Sequence, residues 1–164
     1  NLTAYLSMRK RPEYSRQAFC DGARSTIPFR NKQSSIQSTL KNIDNNAVKP
    51  KIDDNHFVIS EYSSDKKYGY HKDYPINLGF DNEKTSQNNV AYYFNALVGK
   101  NGEKFTYEKV ESCCPFPTKR NTIGAGSLDV YKITFEGNPK IIQLYINLFE
   151  RGKVLCPVGF SIKN

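Results

Sequence analysis

The chain has 164 residues, a net charge of +8 at pH 7 and a sequence pI near 9.3. This length suits one domain with its own core. No apolar run reaches the length of a transmembrane helix, and no secretory signal pattern opens the sequence. The positive charge favours anionic partners. Apart from Arg9-Lys10-Arg11 and Lys119-Arg120 it is spread along the chain, as is typical of a solvated surface.

The first third of the chain has a weak hydrophobic pattern. Apolar residues at helical spacing predict a short helix before Pro12 and a second stripe formed by Ile36, Leu40 and Ile43. Residues 42–54 are polar and read as a linker or exposed loop. We therefore expect residues 1–54 to form an N-terminal arm or extension and residues 55–164 to form the domain.

The clearest helix signal lies in the middle of the chain, at Asn82–Val98. Val90, Tyr93, Phe94 and Leu97 fall on one face of such a helix, and Gly99 is placed to end it. Residues 57–62, before this helix, have the composition of a strand.

The C-terminal half contains four apolar or alternating segments joined by short turns: residues 105–110, 128–135, 140–149 and 154–160. Connections such as Glu136-Gly137-Asn138-Pro139 are too short for anything but antiparallel neighbours. The predicted fold class is α+β: an antiparallel β-meander sheet with one main helix packed on it and an irregular N-terminal arm.

Four cysteines, Cys20, Cys113, Cys114 and Cys156, allow two disulfides, or one disulfide and two free thiols. Neighbouring residues of a strand point to opposite faces, so Cys113 and Cys114 are expected to have different surroundings. A bond between them closes a strained eight-membered ring and is disfavoured. The run Cys113-Cys114-Pro115-Phe116 is interpreted as a structural motif at a strand end, with small buried side chains and a proline that fixes the exit.

The chain carries few signals for chemistry. The glycines of 124–127 are followed by a strand rather than a helix, which argues against a phosphate loop. No H-E-x-x-H, G-x-S-x-G or paired C-x-x-C motif is present, so we expect no catalytic residues, cofactor or metal. Tyr68, Tyr70 and Tyr74 lie among lysines and suit either stacking on a ligand or packing against the sheet.

Several blocks, in order and spacing, resemble a family of small envelope proteins from Bacteroidetes. The blocks are Tyr68-Gly69-Tyr70, Pro75-Ile76-Asn77-Leu78-Gly79, Tyr93-Phe94-Asn95-Ala96-Leu97, Gly99-Lys100-Asn101-Gly102-Glu103, Ser112-Cys113-Cys114-Pro115-Phe116, Leu128-Asp129-Val130-Tyr131, Glu136-Gly137, Leu144-Tyr145-Ile146-Asn147 and Pro157-Val158-Gly159-Phe160. The resemblance covers about residues 58–162, and Cys-Cys-Pro-Phe is its most specific part. Some members carry the label 2-dehydro-3-deoxyphosphooctonate aldolase. That chemistry belongs to a (β/α)8 barrel of about 250 residues, whose length and alternation this chain lacks.

The resemblance implies a non-enzymatic lipoprotein of the periplasm or outer membrane, anchored through a segment that this sequence does not include. We expect it to be an accessory subunit of an outer-membrane protein complex. The predicted contacts are the arm, with Arg9, Lys10 and Arg11, and the tyrosines Tyr68, Tyr70 and Tyr74. Protein partners and an anionic membrane surface are expected rather than nucleic acid. The alternative is an enzyme or small-ligand binder with a pocket lined by Cys113, Cys114, Tyr131 and Tyr145.

Overall fold

The structure is a computed structural model that describes residues 39–164, apart from the side chain of Glu83. The described residues belong to one compact unit. The predicted helix before Pro12, the basic run Arg9-Lys10-Arg11 and Cys20 lie outside the described residues. Of the predicted second helical stripe, residues 39–43 are described and are not helical.

The fold is α+β, with a helix packed on a mostly antiparallel sheet. Helix α1 spans Glu83–Asn95. It begins at Asn82 because the Oδ1 atom of that residue accepts hydrogen bonds from the backbone N–H groups of Lys84 and Thr85.

Helix α1 ends before the predicted Gly99, since residues 97–99 instead pair with a strand from the end of the chain. Its apolar face, with Val90, Tyr93 and Phe94, is buried as predicted.

Eight strands complete the described chain: β1 Ile52–Asp53, β2 His56–Phe57, β3 Ile76–Asn77, β4 Leu97–Gly99, β5 Phe105–Pro117, β6 Ala125–Phe135, β7 Ile141–Asn147 and β8 Phe160–Ile162. The main sheet has the order β3-β7-β6-β5. Strands β5, β6 and β7 form the predicted antiparallel meander. Strand β5 is longer than predicted and contains two register shifts, after Lys109 and after Cys113.

The predicted fourth strand of the meander, residues 154–160, is not part of this sheet. The fourth position belongs to β3, which lies parallel to β7 with Ile76 beside Ile146 and Asn77 beside Asn147. The C-terminal segment pairs with other parts of the chain. Cys156 forms a parallel bridge with Tyr62, and β8 pairs antiparallel with β4. Of the predicted strand over 57–62, the structure forms only β2, which pairs with β1, and the bridge between Tyr62 and Cys156.

The main sheet has an apolar cluster on each face. On the helix face, Phe94 and Tyr93 pack in one buried cluster with Ile133 of β6 and Leu144 of β7. On the other face, Phe116 and Leu128 are buried with Leu40. Side chains alternate along β6, so Leu128 and Ile133 point to opposite faces. Both faces of the sheet are therefore covered over much of their area.

Residues 39–54, predicted as part of an arm, pack against the domain. Leu40 belongs to the second apolar cluster, and the Asn42 side-chain amide donates to the carbonyl of Pro75 at 2.7 Å. Asn77 donates to the carbonyl and Oδ1 of Asn42 at 3.1 and 3.0 Å, and Asn147 donates to Oδ1 of Asn77 at 2.9 Å. This asparagine network (Asn42, Asn77, Asn147) joins the segment to β3 and β7.

The asparagine network generates a first prediction. Asn77→Ala removes the central amide and leaves polar groups of Asn42 and Asn147 without their partners, in a site where Asn77 and Asn147 are fully buried. We expect the free energy of unfolding to fall by about 1–3 kcal/mol in urea titrations. Asn46→Ala, at an exposed turn, is the control and is expected to stay within about 0.5 kcal/mol of the wild type. Equal stability of the two variants would contradict a structural role for the network.

Asp81 ties the start of α1 to the rest of the domain. Its Oδ2 atom lies 2.8 Å from Lys49 Nζ and accepts a hydrogen bond from Asn89 at 2.9 Å. The hydrogen bond from Lys49 and that from Asn89 hold the pKa of Asp81 below its ordinary value of 3.8. A lowered carboxyl pKa stabilises the fold at neutral pH, and this stability is lost as the pH falls through the folded-state pKa.

Asp81→Asn is therefore expected to be less stable than the wild type at pH 7, with a difference that shrinks as the pH falls through the lowered folded-state pKa of Asp81. Urea midpoints measured at pH 7 and at the acid end check this. Asp53→Asn, at an exposed carboxylate of β1, is the control and should remain within about 0.5 kcal/mol of the wild type at neutral pH. A difference that persists unchanged in acid would show that the carboxylate charge of Asp81 contributes nothing.

Candidate functional site

Strand β5 is the outer strand of the main sheet on the side away from β3. Within residues 39–164 its neighbour in the sheet is β6, so one edge of its 13 residues is free of strand pairing. At about 3.4 Å per residue this edge is about 40 Å long. Tyr107 and Val110 are large apolar side chains that remain exposed on it, at 36% and 44% of their areas. Free backbone N–H and C=O groups beside exposed apolar side chains make this edge able to accept a further strand.

Two charged side chains of β5, Glu108 and Lys109, contact β6, whereas the third, Glu111, is exposed. Lys109 Nζ lies 3.0 Å from Asp129 Oδ1, and Ser112 donates to the same oxygen at 3.1 Å. Glu108 lies 3.7 Å from Lys132. The carboxylate of Asp129 is therefore engaged within the sheet. Beside the free backbone groups of the outer edge, the side chains of Val110 and Glu111 remain exposed.

Cys113 and Cys114 form a disulfide with each other, contrary to the expectation from the sequence. The strand alternation behind that expectation fails here because Cys114 adopts a φ of +60° and β5 is irregular between Cys113 and Phe116. A positive φ is unusual for a residue with a side chain. The linkage lies at the second irregularity of β5, after which the pairing with β6 resumes at Phe116.

The disulfide lies on the face of the sheet opposite α1. Cys113 and Cys114 pack with Phe116 and Tyr145 in the second cluster, whereas Tyr131 packs against Phe94 of the helix. The pocket predicted from Cys113, Cys114, Tyr131 and Tyr145 is therefore not formed, since β6 and β7 place the two tyrosines on opposite faces. Pro115 is exposed and Phe116 is buried, and both lie inside β5, which continues to Pro117 instead of ending at the cysteines as the sequence analysis expected.

The three predicted contact tyrosines have different surroundings. Tyr68 is 5% exposed, and its hydroxyl accepts from the N–H of Leu155 at 3.1 Å. The Tyr70 hydroxyl donates to the carbonyl of Val158. Tyr74 is half-buried, with Lys67 Nζ 5.3 Å from its ring centre and His71 against its edge. Tyr68 and Tyr70 therefore contribute to packing, whereas Tyr74 makes a cation–π contact with Lys67.

The buried titratable groups of the core remain protonated at neutral pH. Burial raises the pKa of Tyr70 to about 12 and that of the free thiol of Cys156 to about 12. Burial likewise raises the pKa of Tyr93, whose hydroxyl donates to the carbonyl of Leu155 at 2.8 Å. A nucleophilic thiol requires a lowered pKa, so the Cys156 environment has the opposite character.

Among residues 39–164, no three His, Cys, Asp or Glu side chains come together as a metal site. No helix in this part of the chain has the length and apolar character to cross a membrane. Comparison of the chain with models of protein families, with curated proteins and with solved structures gives no match. The geometry of the described residues is therefore the basis for any inference about function.

The position of β5 at the edge of the sheet was not evident from the sequence. Its alternation predicted a strand, but a strand in the centre and a strand at the edge share that pattern. Two signals were present: the charged run Glu108-Lys109 and the prolines Pro115 and Pro117, which are typical of edge strands.

The Cys113–Cys114 bond predicts a specific alkylation pattern. When the protein is unfolded in denaturant without a reductant and treated with iodoacetamide, the tryptic peptide 110–119 should carry no alkyl group. After reduction it should carry two. Cys156 is the internal control, because a free thiol is alkylated in the unfolded chain whether or not a reductant is added. Alkylation of both Cys113 and Cys114 without reduction, measured by mass spectrometry, would contradict the disulfide.

Proposed function

We propose that this protein is a non-enzymatic accessory subunit of a protein complex in the cell envelope, and that it binds its partner through the exposed edge of β5. The observation that supports this proposal is the free edge itself, a 13-residue strand with Tyr107 and Val110 exposed and one strand neighbour in residues 39–164. An extended segment of a partner would add to the sheet there by backbone hydrogen bonds.

The usable part of this edge is its first half. From Phe105 to Lys109 the pairing of β5 with β6 is regular, so the outward N–H and C=O groups are regularly spaced over these residues. The irregularities after Lys109 and after Cys113 interrupt this spacing, and such features protect edges from unrestricted association. The bulges would confine a partner to a segment of defined length and thereby supply specificity.

The envelope location rests on the resemblance carried by Cys113-Cys114-Pro115-Phe116 and the blocks around it. A disulfide between the two cysteines is in keeping with an oxidising compartment such as the periplasm. In this proposal, the protein is a lipoprotein of the periplasm or outer membrane, and its basic character favours acidic partner surfaces and anionic lipid.

The test is purification of the tagged full chain from native membranes, with its partners identified by mass spectrometry. Val110→Lys places a charge directly after the regular segment Phe105–Lys109, beside the end of the bound partner strand, at an exposed irregular position where the domain tolerates it. We expect the amount of co-purified partner to fall at least about tenfold, which corresponds to about 1.4 kcal/mol of binding free energy.

Ile123→Lys is the matched control, since Ile123 is 85% exposed in the connection between β5 and β6. This variant is expected to retain its partner, and both variants should unfold at the wild-type temperature. Equal recovery with Val110→Lys and Ile123→Lys would exclude the β5 edge as the contact. The absence of any stoichiometric partner for the wild type would reject the accessory-subunit function.

A further inference from the structure

A cavity of about 740 Å³ lies beside the start of α1. It is bounded by the residues that follow β3, by the connection between β5 and β6, and by the turn after β7. Three cationic side chains, Lys84, Arg120 and Arg151, line it. Among the described side chains that line it, Asp81 is the one carboxylate, and it is engaged by Lys49 and Asn89 and lies within the electrostatic influence of Arg151. The cavity thus has an excess of positive charge, and it is separate from the outer edge of β5.

Arg151 is the unusual member of this lining. It is partly buried, and its Nε atom is shut off from solvent without a hydrogen-bond partner. Among the described side chains, no carboxylate lies within ion-pair distance of its guanidinium group; the charge of Arg151 acts on Asp81 from farther away and contributes to the lowered pKa of that carboxyl. A partly buried cation is costly unless an anion and hydrogen-bond acceptors compensate it. A ligand cannot reach the enclosed Nε atom, so the attraction of Arg151 for an anion in the cavity comes from its positive charge and its Nη groups, which form no ion pair with a described carboxylate.

Arg120 is held in place on another wall of the cavity. Its Nη2 donates to Asn45 Oδ1 at 3.1 Å, and its Nε lies 3.7 Å from the carboxylate of Glu150. Glu150 is in turn fixed by Thr118, whose hydroxyl donates to it at 2.6 Å. These contacts position Arg120 in advance, which lowers the entropic cost of binding a ligand.

Lys84 contributes a third cation from the first turn of α1. The backbone N–H groups of Lys84 and Thr85 are already bonded to Asn82. They are therefore not available to a ligand, and the attraction for an anion comes from the side chains.

We propose that this cavity, formed around Arg151, Arg120 and Lys84, is a binding site for a phosphate monoester. A guanidinium group offers two parallel N–H donors that match the oxygens of phosphate or carboxylate. A phosphate monoester carries about −1.5 to −2 charges near neutral pH, against −1 for a carboxylate. It therefore matches better a lining in which Arg151 and Lys84 form no ion pair with a described carboxylate, while Arg120 is paired with Glu150. Phe80, Leu148 and Phe149 provide an apolar wall for the group esterified to the phosphate.

The site is tested on the full chain by two-dimensional NMR titration with methyl phosphate at constant ionic strength. The expected result is saturable shifts confined to residues that line the cavity. Arg151→Gln should weaken binding at least about tenfold, because it removes the cation with free donors. Lys84→Gln, at an exposed helix position, should weaken binding by a smaller factor without an effect on the fold.

Lys119→Gln is the matched control, because Lys119 is exposed next to Arg120 in the sequence and does not line the cavity. It removes the same charge and should change the affinity less than twofold. Equal weakening by Lys119→Gln and Lys84→Gln would show general charge attraction and overturn the proposal, as would the absence of saturable shifts. If Arg151→Gln fails to fold, Lys84→Gln against Lys119→Gln and the map of shifted residues decide the outcome.

Two further titrations identify the source of the phosphate. Acetate at the same concentration should bind more weakly than methyl phosphate, and tighter binding of acetate would contradict the assignment to phosphate. Vesicles containing phosphatidic acid, compared with vesicles of phosphatidylcholine alone, distinguish a lipid headgroup from a soluble monoester. Vesicle binding that Arg151→Gln abolishes indicates the lipid. Methyl phosphate binding without vesicle binding indicates a soluble ligand.

Discussion

The fold depends on a hydrogen-bonded line of three asparagines, Asn42, Asn77 and Asn147. Strand β3 has only two residues, too few to hold its position by backbone pairing with β7 alone. The amide of Asn147 donates to Asn77, and that of Asn77 donates to Asn42, so β7, β3 and the segment before β1 are fixed together. In a buried site each of these bonds is strong, and each group left unpaired is costly.

The same network fixes the turn that follows β7. Asn147 Oδ1 accepts from the N–H groups of Phe149 and Glu150, so the turn begins on a member of the network. Two residues later the backbone passes so close that a side chain at Gly152 would lie 2.7 Å from Asn77 Nδ2. Arg151 lies between these two constraints. Its unpaired guanidinium group is therefore held beside the cavity by the packing of its neighbours, which is the kind of rigid support that a binding site needs.

The polar groups of this molecule fall into two sets with different roles. The core set, with Tyr68, Tyr93 and Cys156, is buried and stays uncharged at neutral pH because burial raises its pKa values. These groups support packing. The outer set comprises the β5 edge and the cationic cavity. Within residues 39–164 the edge has N–H and C=O groups without a strand partner, and the described lining of the cavity has an excess of positive charge. Such groups favour binding over covalent chemistry, and both proposed sites depend on them.

The spacing of apolar residues and the lengths of the turns determined much of the secondary structure. The stripe of Val90, Tyr93 and Phe94 specified the helix, and short turns specified the antiparallel order of β5, β6 and β7, because both signals depend on neighbours a few residues apart.

Only the tertiary structure decided the features that depend on distant residues. Nothing local to Ile76-Asn77 shows that it pairs parallel to a strand some seventy positions later, and nothing in residues 97–99 shows that β8 will end the helix early. The bond between Cys113 and Cys114 depends on a φ of +60°, which strand periodicity does not anticipate. The edge position of β5 and the unpaired state of Arg151 depend in the same way on which other segments come near. Pairing across long separations is set by the packing of the whole chain, and a local pattern does not contain it.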